Sequence, residues 1–286
     1  MKNSRRKFLQ TGSLLAAGAL VGSNKLFAEA SAHKLKKFGI QLWSVRDDMA
    51  KDPKGTLQQL ANYGYKLVES CDSANGFFWG MKNAEFKTSL ADMGLQCFST
   101  HTNVYENFDK KSDDVVEAGL KYIIYNWEGA GKTLDDYKKM ADDFNKKGEL
   151  CNSKDIRFAF HNHDFTFKPI DGVLAQNILM DNTDPSLVYF EMDIYWVVTA
   201  GANPVEWFQK HNGRFKLCHI KDRTKNSKEQ FDSCNLGTGS IDFATILPVA
   251  RKCGMEYFYV EQEKWEGSTP MLSAQADAEY MKMIRV

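Results

Sequence analysis

The chain has 286 residues with 37 basic and 37 acidic side chains, so it carries no excess positive charge to draw it to nucleic acid. Hydrophobic residues make up 43% and charged residues 26%, the balance of a globular protein with a sizeable core. Cys71, Cys97, Cys151, Cys218, Cys234 and Cys253 lie far apart with no CxxC, which excludes a zinc-cysteine site and reads as buried free thiols.

Residues 1–32 have the order of an export signal. A twin arginine, Arg5-Arg6, precedes a short Gly/Ala-rich apolar stretch (12–22) and then small-residue cleavage sites after Ala30 or Ala32. The expectation is twin-arginine export to the periplasm. The apolar stretch is too short and too rich in glycine for a stable membrane span. Removing residues 1–32 leaves 32 basic and 36 acidic side chains, a net charge of −4, on one expected domain, 33–286.

Short β-branched or aromatic runs recur through that domain: FGIQLW (38–43), KLVES (66–70), LQCFST (95–100) and YIIYNW (122–127), followed by IRFAFH (156–161), LVYFEMD (187–193), FKLCHI (215–220) and YFYVEQ (257–262). Between them lie segments with apolar residues at helical spacing, often closed by a glycine. PKGTLQQLANYG (53–64) is typical, with Pro53 at the start and Gly64 past the end. NAEFKTSLADMG, TLDDYKKMADDFNKKGELC, NPVEWFQKHNG, DFATILPVARKCG and the closing TPMLSAQADAEYMKMIRV follow the same grammar. Eight strands alternating with helices over about 250 residues predict a (β/α)8 TIM barrel. An open doubly wound sheet is disfavoured because no glycine-rich phosphate loop follows the first run.

Catalytic groups in such barrels gather at the carboxyl ends of the strands. Here those ends carry Glu69, then His101, then Trp127 and Glu128, then His161 and His163. Glu191 and Asp193, His219 with Lys221 and Asp222, and Glu261 with Glu263 complete the series. In RFAFHNHDF (157–165), strand alternation sends His161 and His163 to one side and Asn162 to the other. His161 or His163, with Asp193, His219 and Glu261, forms a mixed nitrogen and oxygen set suited to one divalent ion: Mn²⁺, Zn²⁺, Co²⁺ or Fe²⁺. A ring of ion pairs without a metal is the competing account.

In this order, the motifs resemble the sugar phosphate isomerase/epimerase family, the xylose-isomerase-like TIM barrels. GIQLWSVRDDM, FHNHDFTF, FEMDIYWV, LCHIKD, LGTGSIDF and YVEQE carry the likeness over nearly the whole mature chain. The broad group includes ketose 3-epimerases, inosose dehydratases, hydroxypyruvate isomerases and endonuclease IV-type nucleases. The resemblance implies one metal held by Glu, Asp, His and Glu at the ends of strands 5 to 8. Asp193, His219 and Glu261 match the last three, and His161 stands where the first Glu would be. His161 is then the expected ligand and His163 a substrate contact or acid/base group, with the exchange of roles left open. One of the two proton-shuttling carboxylates of the ketose epimerases is thus an imidazole here.

The expected activity is metal-dependent isomerisation or epimerisation of an unphosphorylated sugar or keto-sugar through an enediolate, with Glu261, His163 and Lys221 catalytic. Trp43, Glu69, His101, Trp127 and Glu263 are the expected substrate contacts. The alternative is a lyase or dehydratase that performs β-elimination on a 3-keto-glycoside or inosose-like substrate. A non-catalytic periplasmic carbohydrate-binding protein is the alternative from another class. The expected partner is a small carbohydrate, and a homo-oligomer is compatible with the sequence.

Overall fold

Strand alternation decides what the interior of this protein holds. The computed structural model describes residues 33–127 and 129–286; the export signal read in residues 1–32, and Glu128, lie outside the described residues. Eight strands close into one parallel barrel: β1 (Gly39–Gln41), β2 (Leu67–Cys71), β3 (Gln96–His101), β4 (Tyr122–Tyr125), β5 (Arg157–His161), β6 (Val188–Asp193), β7 (Phe215–Ile220) and β8 (Tyr257–Val260). Each strand lies beside its neighbour in sequence, and β1 closes the ring against β8. The fold is a (β/α)8 TIM barrel.

The outer helices are α1 (Pro53–Tyr63), α2 (Asn83–Asp92), α3 (Phe108–Ala118), α4 (Leu134–Ser153), α5 (Ala175–Asn182), α6 (Pro204–Lys210), α7 (Phe243–Lys252) and α8 (Pro270–Met281). Their ends follow local chemistry. The Asp52 carboxylate accepts the Gly55 amide at 2.9 Å before Pro53, and α1 stops at Gly64, whose φ of 108° suits glycine. Thr133 and Asp136 form a reciprocal capping box at the start of α4.

Outward-facing residues such as Val68, Ile123, Phe158, Phe190, Cys218 and Phe258 pack against the helices in the main core. The inward-facing alternates form a second, smaller cluster: Leu67, Tyr122, Ile124, Ala159, Leu217 and Tyr259. Two residues further along the same inner face, Leu67 gives way to Glu69, Ala159 to His161, Leu217 to His219 and Tyr259 to Glu261. An apolar floor therefore underlies a polar upper tier.

A bulge corrects the alternation on β3. Val68 pairs with Cys97 but Glu69 pairs with Ser99, so Phe98 is an extra residue. Phe98 packs on the inner apolar cluster, and the bulge brings Ser99 and His101 back to the inner face.

Several boundaries differ from the sequence expectation. β1 ends at Gln41 because the Gln41 side chain accepts the Trp43 amide at 3.0 Å and turns the chain into a 3-10 helix, Leu42–Val45. β4 ends at Tyr125, which leaves Asn126 and Trp127 on the following loop. A two-residue hairpin, Asp222–Arg223 with Ser233–Cys234, was not foreseen, and it frames the loop 224–232. The six cysteines are free thiols, with Cys71, Cys97, Cys151 and Cys218 buried.

Gly39 shows how tightly the barrel closes. A Cβ there would lie 2.4 Å from the Tyr259 ring and 2.8 Å from Leu67 Cβ. Gly39→Ala is therefore expected to lower the unfolding free energy by about 1–3 kcal/mol, the usual range for overpacking. Urea denaturation of the variant beside the parent protein measures it, and equal midpoints would contradict the tight closure.

Candidate active site

The upper tier is built from imidazoles whose two nitrogens face different partners. His219, on β7, turns Nε2 to Glu69 Oε2 at 2.7 Å and Nδ1 to Glu261 Oε2 at 3.3 Å and Asp193 Oδ2 at 3.9 Å. His161, at the end of β5, turns Nδ1 to Glu191 Oε2 at 3.1 Å and Nε2 to Asp193 Oδ2 at 3.9 Å. Each ring has one nitrogen fixed by a deep carboxylate and the other aimed at the Asp193 carboxylate. His101 lies beside them, with Nε2 2.6 Å from Glu191 Oε2 and 3.2 Å from Glu69 Oε2.

Burial and charge set the protonation of this tier. Burial alone would push the Glu69 carboxyl up, but His101 and His219 outweigh it and hold it well below the usual carboxylate range. Burial would lower His101, yet Glu69 and Glu191 push it up to about 9. Burial, reinforced by the neighbouring Glu69 charge, raises Glu191. His161 falls well below its ordinary value, first through burial and then through the positive rings around it, which keeps it neutral.

Asp193, His219 and Glu261 offer ligand atoms that all lie within 4.8 Å of one another. Asp193 Oδ1 accepts the Trp196 amide at 3.3 Å, while its buried Oδ2 has no hydrogen-bond partner. An orphaned buried carboxylate oxygen is costly unless something positive meets it. The donor set and the orphaned oxygen fit a divalent cation held by Asp193, His219 and Glu261, with neutral His161 Nε2 adjacent. Glu69 and Glu191 are then the outer carboxylates that fix ring orientation, as metal-bound imidazoles require.

His163 faces the same side as His161, with ring centroids 5.1 Å apart. It is edge-on to Trp127 at 4.8 Å and stacked on Phe165 at 5.6 Å, and its buried Nδ1 has no partner. Burial, then the Lys221 charge, lower it to about 3, so it is neutral. Lys221 is buried at the end of β7, with Nζ 3.1 Å from Glu263 and 3.3 Å from Glu261, above the Trp196 ring at 4.9 Å. Burial would lower it, but Glu261 and Glu263 raise it well above the ordinary lysine value, so the cation is permanent. The neighbouring Asp222 accepts the amides of Gly237, Gly239 and Ile241 and ties the LGTGS loop beneath Lys221.

One pocket of about 300 Å³ opens onto these groups, lined by Trp43, His101, Trp127, His161, His163, Glu261 and Glu263 among others. Expected residues that do not reach it as foreseen include Glu69. Its side chain is wholly buried, and both oxygens are taken, Oε1 by Ser99 at 2.6 Å and Oε2 by Gln41 at 2.9 Å and by His219. Glu69 is a support for His219 and not a sugar contact. Arg46 stacks on Trp43 at 4.6 Å and donates to its carbonyl at 2.9 Å. Sequence reasoning missed the support given by Glu191 and Gln41 and the pocket residue Phe231. Glu191 had a signal, since it shares the inner face of β6 with Asp193. Phe231, on an irregular loop, had none.

No protein-family model matches the chain. The chain is 28% identical over 209 residues to an inosose dehydratase of Clostridium beijerinckii, covering 61% of this chain and 69% of that protein. A shorter match, 30% identical over 145 residues to the inosose dehydratase of Clostridium botulinum, spans about half (48%) of that relative. Among solved structures, a sugar phosphate isomerase/epimerase of Parabacteroides distasonis superposes with a TM-score of 0.76 at 27% identity, over 88% of this chain and 95% of that one. The IolI protein, crystallised with a zinc atom, shares the fold at a TM-score of 0.70 and 14% identity, covering 85% and 95% of the two chains. The chain is thus similar to sugar-processing enzymes of the xylose-isomerase-like barrel type. Among the described residues no helix is long and apolar enough to cross a membrane.

The metal fit has a direct test. Purified protein dialysed against Mn²⁺, Co²⁺ or Zn²⁺ should retain one ion per chain by elemental analysis, with a melting temperature that rises with metal concentration. Asp193→Asn and His219→Ala should lose the ion. Parent protein that holds no ion, with an unmoved melting temperature, would refute the assignment.

Proposed function

We propose that the protein is a divalent-metal-dependent lyase that removes a proton next to a ketone of an unphosphorylated keto-sugar or inosose-like ring and expels a β-oxygen substituent. The observation that carries the proposal is His163 in the pocket that also presents Glu261, with the buried Lys221 cation paired to that carboxylate. The inosose dehydratase relatives support elimination. Isomerisation of the same enediolate, the first expectation from sequence, is the second reading, and the isomerase/epimerase neighbour favours it.

A divalent ion at Asp193, His219 and Glu261 would act as a Lewis acid on the carbonyl and lower the acidity barrier of the adjacent C–H. The remaining work falls to the chain's own groups. Lys221, buried against Glu261 and Glu263, supplies fixed positive charge in a desolvated setting where charge acts strongly. His163, whose ring lines the pocket beside Glu261, is the group assigned to accept the proton on carbon. Glu261, the other base expected, is engaged instead: its Oε2 lies 3.3 Å from both Lys221 Nζ and His219 Nδ1, and the same carboxylate would hold the ion. Protonated His163 then returns the proton to the departing oxygen. One C–H and one C–O bond break, a C=C bond forms, and water or an alcohol leaves. Export by the twin-arginine route, read from Arg5-Arg6 and the apolar stretch after them, is part of the proposal, and it favours an unphosphorylated substrate because sugar phosphates are cytoplasmic.

Incubating metal-loaded protein with an inosose and with 3-keto-glucosides in D₂O, followed by NMR, tests the reading. The expected result is release of the leaving group with formation of an enone. His163→Ala should slow this by about 10²–10⁴-fold while the protein keeps its metal. Deuterium exchange with no departing group would overturn elimination in favour of isomerisation. No exchange in any keto-sugar would overturn both.

A further inference from the structure

Large apolar side chains gain from burial, yet three of them remain in water around this one mouth. Trp43 is 41% exposed, and Trp127 and Phe231 are each 58% exposed, yet all three line the pocket that holds the charged groups. They come from different loops, after β1, after β4, and from 224–232 after β7. Below them, His101, His161, His163 and Glu261 make an inner tier within the same 300 Å³, a volume at the lower end for ligand clefts. The charged tier has room for one polar ring. The aromatic tier above it is left with part of each ring open to water.

Phe231 is not exposed through looseness of its loop. On one side, Tyr195 Oη donates to the Gln230 carbonyl at 2.6 Å, and Gln230 Nε2 donates to Asp164 at 2.9 Å. On the other, the Asp232 amide donates to Tyr195 Oη at 2.7 Å, and Lys264 pairs with the Asp232 carboxylate at 2.7 Å. Arg223 binds the carbonyls of Glu229 at 2.7 Å and Ser227 at 3.1 Å. The loop is braced on both sides of an apolar ring that it holds at the pocket rim, 5.1 Å from Trp196. Trp43 is braced as well, with Arg46 covering one face. Aromatic rings held rigid lose little entropy on binding and prefer flat, apolar-faced partners.

We propose that Trp43, Trp127 and Phe231 form an outer subsite for a second ring, aryl or pyranosyl, joined through oxygen to the keto-sugar, so that the substrate is a glycoside and not a free monosaccharide. This rests on the elimination reading, because the second ring is then the leaving group. In a 3-keto-glycoside, the C2 proton is removed, the C2 electron pair forms the C1–C2 double bond, and the C1–O bond breaks. The aglycone oxygen takes the proton, giving an enone and a free alcohol with no oxidant or reductant consumed.

The test compares 3-keto derivatives of methyl β-glucoside, phenyl β-glucoside and cellobiose, the ketone on the non-reducing ring, as substrates of the metal-loaded protein. In parallel, phenyl and methyl β-glucoside, which have no ketone and cannot react, are titrated by tryptophan fluorescence. The two-ring substrates should show kcat/KM at least about tenfold above the methyl compound, with phenyl β-glucoside binding tighter by a similar factor. Phe231→Ala and Trp127→Ala should shrink that preference to about twofold, and Phe231→Trp should keep it. A preference for the phenyl compound over the cellobiose one assigns the ring as aryl, and the reverse assigns it as a sugar. Equal use of methyl and two-ring substrates, or a preference unmoved in both alanine variants, would overturn the subsite even with elimination intact. Discrimination of phenyl β-glucoside that depends on Phe231, without turnover of any keto-glycoside, would uphold the subsite and remove the elimination reading.

Discussion

The structure depends most on the hydrogen bonds between two deep carboxylates and the rings above them. An imidazole can present either nitrogen and either proton arrangement, and burial alone does not choose between them. Glu69 takes Nε2 of His219, and Glu191 takes Nδ1 of His161, so the opposite nitrogens can only face Asp193 and Glu261. The same two carboxylates share His101, which joins the two halves of the tier. A charge-assisted hydrogen bond in such a buried setting both costs little reorganisation and resists rotation of the ring.

That tier needs a dry floor and an exact inner register, and the barrel supplies both. Tyr122, Ile124, Leu217 and Tyr259 pack together in the interior below Glu69 and His219, so the carboxylates rest on an apolar layer. Tyr259 also approaches the polar layer directly, its hydroxyl 3.0 Å from Ser99 Oγ, which in turn donates to Glu69 at 2.6 Å. The bulge at Phe98 matters for the same reason. Without the extra residue, simple alternation from Phe98 would turn Ser99 and His101 toward the helices, and Glu69 and Glu191 would lose their shared partner.

Much of this was legible in the amino-acid sequence because it follows period and punctuation. The eight runs, the helices opened by Pro53, Pro204 and Pro270, and the gathering of titratable residues at strand ends are all local signals. What escaped is what alternation and composition cannot encode. The depth of Glu69 depends on the Phe98 bulge across the sheet, and a bulge has no composition of its own. Lys221 reads equally as a solvated loop residue until Glu261, Glu263 and the Trp196 ring are brought around it. Phe231 sits between polar residues on a loop whose path is set by Tyr195, Arg223 and Lys264, all distant in sequence or in direction. The helices α3 and α5 also lacked a distinct reading, since Phe108–Ala118 begins at a left-handed Asn107 with no side-chain cap and Ala175–Asn182 follows a two-residue hairpin.

The imidazole at position 161 bears on which chemistry the proposed site can support. A carboxylate there would add a third negative ligand beside Asp193 and Glu261, whereas neutral His161 leaves two charges, matching a divalent ion. It would also give a second anionic base facing the substrate from another strand, as inversion of a carbon centre through two faces requires. With His161 buried, neutral and tied to Glu191, the pocket keeps one group with an uncommitted nitrogen, His163, and that group lies against Trp127 on a single side. A lone base that first takes a proton and then holds it can hand it to a departing oxygen on the same side. On the proposed reading, the exchange of one carboxylate for an imidazole therefore biases a common enediolate toward losing a group instead of inverting a centre.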